Sequence, residues 1–241
     1  MIDVSSFIGS LPKRPDRLSV NGILSLAKKH GIKYLILSHT SAHLSKSTFY
    51  GNRLLQSIIK KYTQLYMAYV FNPLAPEEEY VGEKVKLVRV SPLYHGYSFT
   101  EDKLVRRIRD FAEKLSVPIH IPLRLHFSEP YQVKVTAVRD FVFKCEDIPV
   151  IVGGFNYDIF LEVLRYLGKF DNVYFEISLL QSYRAVETLV KEVSADRVLF
   201  GTNMPFSYPL ASILKVSKAD LSEKEKKLIF EENTKKLLKF D

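Results

Sequence analysis

The chain has 241 residues, 46% hydrophobic and 26% charged, with 35 Lys+Arg against 27 Asp+Glu and a formal net charge of +8. This is the mix of an ordinary globular chain, and it excludes a disordered, collagen-like or low-complexity assembly. The lone Cys145 excludes a disulfide framework and a cysteine zinc knuckle.

Short apolar runs rich in Val, Ile, Tyr and Phe alternate with amphipathic stretches along the chain. Residues 1–7 read as a strand, and 20–30 as a helix carrying Ile23, Leu24, Leu26 and Ala27, stopped by Gly31. A strand at 33–38 is followed by a helix at 51–62, with Leu54, Leu55, Ile58 and Ile59 on one stripe. Strands at 65–71 and 85–90 precede a helix at 100–115, which opens on Thr100, Glu101 and Asp102, a favourable start. A strand at 117–126 leads into 129–147, the weakest helix, whose β-branched residues also read as extended. Strands at 149–152, 172–177 and 197–201 alternate with helices at 157–167 and 181–193. Residues 221–240 form an amphipathic helix with Leu228, Ile229, Leu237 and Leu238 as its apolar side, expected against the outside of the fold.

Eight strand candidates, most followed by a helix, predict parallel strands joined by right-handed crossovers. Closed into a ring they give one (β/α)8 TIM barrel over residues 1–241, a length that suits it. The runner-up, an open doubly wound sheet, lacks a Gly-rich phosphate turn after the first strand.

Barrel chemistry sits at the C-terminal strand ends, where inward-facing parity decides which side chains count. In the fifth strand His120, Pro122, Arg124 and His126 share one parity against Ile119, Ile121, Leu123 and Leu125. A helix-covered outer face must be apolar, so the polar set is expected inside. The same rule turns Tyr174, Glu176 and Ser178 inward, with Arg89 as a further buried charge. Such charges must be paired or hydrogen-bonded. They either fill the barrel or form a pocket for an anionic or carbonyl-bearing molecule through Arg124 and Arg89. His95 lies on the functional side if the barrel is right; His39 and His43 could reach the mouth, and His30 ends a helix.

Four segments of these strands resemble the amidohydrolase superfamily, specifically its amidohydrolase-2 branch. RVLFGTNMPF at 197–206 is similar to the family's eighth-strand motif, and VRVSPLYHGY at 88–97 to its fourth-strand segment. MIDVSSFIG stands in the place of the opening strand and NVYFEIS at 172–178 matches the seventh. The resemblance implies a (β/α)8 barrel with zinc or a similar ion that activates water for hydrolysis or supports non-oxidative decarboxylation. It also places Ser5 and Phe7 where the family has histidine-x-histidine, Pro122 at its fifth-strand histidine, Gly153 or Gly154 at its sixth, and Asn203 at its eighth-strand aspartate. Phenylalanine cannot ligate, and asparagine offers only a neutral carbonyl and an amide donor.

The expected metal centre is therefore degenerate and no cofactor is expected. A zinc site shifted onto His120 or His126 with Glu176 is the exception, and those two histidines lie roughly 20 Å apart along a strand, too far to share one ion. Glu176, His126 and Asn203 are the catalytic candidates, and Arg124, Arg89, His120, Ser5 and His95 the ligand-binding ones. A non-catalytic anion-binding or structural barrel is the alternative. A nucleic-acid binder ranks last, because the basic residues are spread along solvated helix faces. A homo-oligomer is compatible with the sequence. No apolar run reaches the ~18 residues of a bilayer span, and the opening segment lacks the pattern of a secretion signal. A cytoplasmic protein is the default expectation. Abundant Lys, Glu and Ile without Trp suits a thermophilic source.

Overall fold

The alternating runs become eight parallel strands: β1 (Ile2–Ile8), β2 (Tyr34–His39), β3 (Leu65–Phe71), β4 (Val85–Val90), β5 (Ile119–Pro122), β6 (Val150–Gly153), β7 (Val173–Glu176) and β8 (Val198–Leu199). They pair in chain order in a computed structural model that describes residues 1–11, 18–75, 81–126 and 128–240. Backbone bonds close the ring between β1 and the end of β8. Val4 N–H donates to Phe200 O (3.1 Å), Asn203 N–H to Ser5 O (2.8 Å) and Phe7 N–H to Met204 O (2.7 Å). The fold is a (β/α)8 barrel.

The helices are α1 (Val20–Lys29), α2 (Thr40–Leu44), α3 (Phe49–Ile59), α4 (Pro92–His95), α5 (Asp102–Leu115), α6 (Val135–Phe143), α7 (Phe160–Leu167), α8 (Ala185–Val193), α9 (Pro209–Ser217), α10 (Glu223–Lys227) and α11 (Asn233–Leu237); a π turn over Leu228–Glu232 joins the last two. Outward strand residues such as Leu35, Met67, Val88, Ile121, Val152 and Phe175 pack against helix stripes that include Ile23, Leu55, Ile108, Phe141, Val163 and Leu189. Each such aliphatic or aromatic side chain contributes roughly 1.5–3 kcal/mol by leaving water.

The barrel interior is layered. Ile2, Val4, Ile36, Ala68, Leu87, Ile151 and Leu199 form an apolar floor with Leu238. Side chains of the next level are polar, and Phe7, Leu11, Leu125 and Phe206 form a separate apolar cluster with Tyr94.

Two expectations need correction, and the doubt over a third element is resolved. The fifth strand is only Ile119–Pro122, not 117–126: Pro122 has no N–H, Leu123 N–H still reaches Gly153 O (2.8 Å), and the chain then leaves the sheet. Arg124 and His126 therefore lie in a loop, beyond strand parity. The doubtful stretch at 129–147 is helical over Val135–Phe143, because Val135, Val138, Phe141 and Val142 bury one stripe that outweighs their weak propensity. The last helix runs partly outside the barrel, where Ile229 joins the outer core, but its end turns under the floor. There Leu238 is buried and Phe240 packs on Tyr66 and Tyr34 (ring centroids 4.7 and 5.4 Å).

Candidate active site

The polar level is organised by Arg89, which is fully buried at the end of β4. Its Nε donates to His120 Nδ1 (3.0 Å), one terminal nitrogen to Ser38 Oγ (2.7 Å) and the other to Val4 O (3.0 Å). Phe7 lies under the guanidinium, 4.9 Å from ring centre to Cζ. Burial pulls the guanidinium down to about 10, opposed by the carboxylates of Glu176 and Asp3, so it stays charged near neutrality. No carboxylate among the described residues is within ion-pair distance of it. Of the two ways expected to satisfy a buried charge, hydrogen bonds rather than an ion pair hold Arg89.

That bond fixes a tautomer. An arginine can only donate, so His120 Nδ1 must accept and the neutral ring carries its proton on Nε2. Burial, with Arg89 and His43 adding repulsion, holds His120 well below the usual histidine range. His120 Nε2 has no hydrogen-bond partner among the described residues although the side chain is fully buried.

Glu176 closes β7 and is buried. Its Oε1 accepts from Ser178 N–H (2.5 Å) and its Oε2 from Ser178 Oγ (3.0 Å). Burial pushes its carboxyl up to about 7, with nearby Asp3 adding to the shift and Ser178 and Lys215 opposing it. Two glycines make room for it. A Cβ at Gly201 would stand 2.1 Å from Glu176 Oε1, and one at Gly153 would stand 2.6 Å from Oε2 and 2.9 Å from His120 Nε2. Glu176 and His120 thus converge over Gly153.

Asp3 and Lys215 were not singled out in the sequence, and His43, expected near the mouth, is enclosed. Asp3 is fully buried and accepts from Ser5 N–H (2.9 Å), Thr202 N–H (3.1 Å), Ser6 Oγ and Thr202 Oγ1 (both 2.5 Å); burial still pushes its carboxyl up. Lys215 on α9 donates to Ile177 O (2.6 Å) and Ser178 O (3.2 Å), and burial pulls it down to about 8. His43 is fully buried between Ser38 Oγ (2.8 Å) and Ser91 Oγ (2.6 Å). A signal for Asp3 was present: one acidic residue between Ile2 and Val4 in a strand must be hydrogen-bonded.

The remaining candidates are dispersed. Asn203 sits beyond β8 at a φ of +58°, buried, its Nδ2 without a partner among the described residues. Ser5 is buried, with its Cβ beside Gly201. Arg124, expected inside the barrel, instead bonds Gln132 and Asp158 Oδ2 (2.5 Å) from the loop after β5, and Asp158 is 40% exposed. His126 Nδ1 accepts from Ser128 N–H (3.1 Å), and the ring stands edge-on to Phe206 at 6.3 Å. His95 donates through Nε2 to Ala42 O (3.0 Å), which ties α4 to α2. His39 caps α2 through Ser41 N–H (3.2 Å), and His30 meets Tyr208 OH (3.0 Å).

A catalytic zinc site takes three imidazole, thiolate or carboxylate ligands around one point. Among the described residues no cluster of three or more His, Cys, Asp or Glu is placed to hold one. The staves where the family resemblance puts ligands end in Ser5, Phe7, Pro122, Gly153 and Asn203, and Phe7 is occupied by Arg89 and by Phe206 at 5.4 Å. These residues do not fit the metal.

Eight parallel staves closed into a ring, with polar groups at their C-terminal ends, define a (β/α)8 barrel of the class that carries its sites at that face. The sequence matches the Amidohydrolase (Amidohydro_2) family over residues 15–240, and the chain belongs to that family. No curated protein matches it in sequence. Among solved structures it is similar to 5-carboxyvanillate decarboxylase from Sphingomonas paucimobilis, with 12% identity, a TM-score of 0.77, and 100% of this chain and 99% of that one covered. It is also similar to 2,6-dihydroxybenzoate decarboxylase complexed with 2,6-dihydroxybenzoate (15%, 0.72, 99% of each chain). A third is the 5-carboxyvanillate decarboxylase of Novosphingobium aromaticivorans, complexed with manganese and 4-hydroxy-3-methoxy-5-nitrobenzoic acid (14%, 0.69, 90% and 79%). At these identities the likeness concerns the fold.

Proposed function

We propose that this chain is an amidohydrolase-2 barrel that works without a metal ion and binds a small anionic molecule at the C-terminal end of its strands. The observation that carries this is the set of side chains at the five ligand positions, none an imidazole or carboxylate, beside a buried guanidinium with three hydrogen bonds. Arg89 provides the fixed positive charge there, and it needs neither ion uptake nor deprotonated ligands. His120 Nε2 and Asn203 Nδ2 are buried donors still to be satisfied, which favours an acceptor-rich ligand. Similar structures are complexed with hydroxylated benzoates, and this supports a small carboxylate as the ligand class. Arg124 and His126, held by Asp158 and Ser128, have no first role in this reading. A shifted zinc site would need a donor cluster that the described residues do not supply.

The direct test is calorimetric titration of the purified protein with 2,6-dihydroxybenzoate in the presence of a chelator. Saturable binding unaffected by the chelator is expected. Binding that appears only after manganese or zinc is added would overturn the reading.

A second reading, metal-free acid/base catalysis, is favoured by one observation: a buried carboxyl pushed up to about 7 is matched to proton transfer near neutrality. Glu176 would be the base, with Asn203 as an amide donor to a developing oxyanion. In a screen of small carboxylates and amides, turnover abolished in Glu176→Gln supports it, and turnover identical to wild type removes it. Among the described residues no helix is long and apolar enough to cross a membrane.

A further inference from the structure

Arg89, His120, Glu176 and Gly153 come from three different staves and the one between them, and their chemistry is asymmetric. The Arg89 bond leaves His120 with a proton on Nε2 and nothing to give it to. Glu176 Oε1 accepts a fixed backbone N–H and Oε2 a rotatable Ser178 hydroxyl, so a proton on this carboxyl belongs on Oε2, the oxygen nearer the face of Gly153. Residue 153 has no side chain, and any Cβ there would collide with both groups. On the far side of Glu176, Ser5 borders the same Gly201 pocket, and its carbonyl holds the backbone of Asn203, whose Nδ2 is another unpartnered donor. The charged groups that face Glu176 are Asp3 of β1, Arg89 of β4 and Lys215 of α9. Lys215 is already engaged by two carbonyls.

We infer that His120 Nε2–H, the Glu176 carboxylic acid and the bare face of Gly153 form a niche for one acceptor oxygen of the bound anion, with Asn203 Nδ2 donating beside it. The inference rests on the anion-binding reading above and names the atoms that do the binding. Every free group in the niche donates. The niche therefore selects a carboxylate or carbonyl oxygen and rejects an ammonium or a metal ion. Arg89 acts here as a positioning residue: it fixes the tautomer that lets His120 donate.

The test is titration with 2,6-dihydroxybenzoate of the wild type and of Gly153→Ala, His120→Phe and Glu176→Gln. Loss of a hydrogen bond to a charged acceptor corresponds to roughly tenfold in affinity. Gly153→Ala and His120→Phe are expected to weaken binding by at least that factor. Glu176→Gln keeps a donor of the same shape and is expected to stay within about threefold. Because the first two variants could fail to fold, the His120 Nε2–H resonance of the wild type is followed in parallel by nitrogen-15 NMR. It is expected to shift and saturate with the calorimetric affinity. Wild-type affinity in well-folded Gly153→Ala and His120→Phe, or a His120 resonance indifferent to the anion, overturns the niche alone. Failure of the wild type to bind any carboxylate removes the anion reading and the niche together.

Discussion

Glu176 carries the clearest consequence of burial at a single residue. Its folded pKa of about 7 lies above the ordinary 4.5, so the native state holds a proton that the unfolded chain has lost across that interval. Stability from this group is fully present at low pH and declines as pH rises between about 4.5 and 7, by about 3 kcal/mol in all. Lys215 acts in the opposite sense and in another window. Its folded value of about 8 lies below the ordinary 10.5, so its cost is complete below pH 8 and is relieved only above. Urea denaturation at about pH 5 and about pH 7.5 should therefore show Glu176→Gln gaining on the wild type by about 3 kcal/mol as pH rises, on top of the gain that the buried neutral His43 and His120 give both proteins over the same interval. Identical pH profiles in the two proteins would contradict the assignment. Replacing Arg89 by Leu strips donors from His120 Nδ1, Ser38 and Val4 O at once, and about 3–5 kcal/mol of lost stability is expected by the same measurement.

Among the elements, the last helix does more than cover a wall. Leu238 enters the apolar floor of the barrel, and Asn233 Nδ2 donates to Ala195 O (2.7 Å) and Val198 O (2.9 Å), fastening the helix to β8. Leu238→Ala should cost about 2–4 kcal/mol by opening a cavity under the floor. Thermal unfolding reads this, and a wild-type midpoint would place the residue outside the core. Strand alternation was legible in the sequence wherever a helix covers one face: Ile119 and Ile121 had to face out, which put His120 inside, and the same rule placed Glu176. It failed at Arg124 and His126, because Pro122 ends the ladder and a loop has no parity. His95 was equally illegible. Its partner, the carbonyl of Ala42, is brought to it by the packing of α2 against α4, which no local pattern encodes.

At the scale of the molecule, the metal-free reading proposed above separates the family scaffold from the family chemistry. Closure of β8 on β1, the order of the staves and the placement of polar groups at their ends follow the amidohydrolase pattern, and were legible as alternating strands and helices with a recognisable eighth-strand motif. The residues that the resemblance sets at ligand positions, Ser5, Phe7, Pro122, Gly153 or Gly154, and Asn203, were legible too. What fills the space was not: Arg89 bridges Ser38, Val4 and His120, contacts that span four staves and depend on ring closure. The most direct measurement is the metal content of protein purified without chelator and then dialysed against manganese and against zinc, quantified by plasma mass spectrometry alongside the melting temperature. Metal far below one ion per chain, with no change in melting on loading, is the predicted result. One tightly held ion per chain that raises the melting temperature would contradict the account.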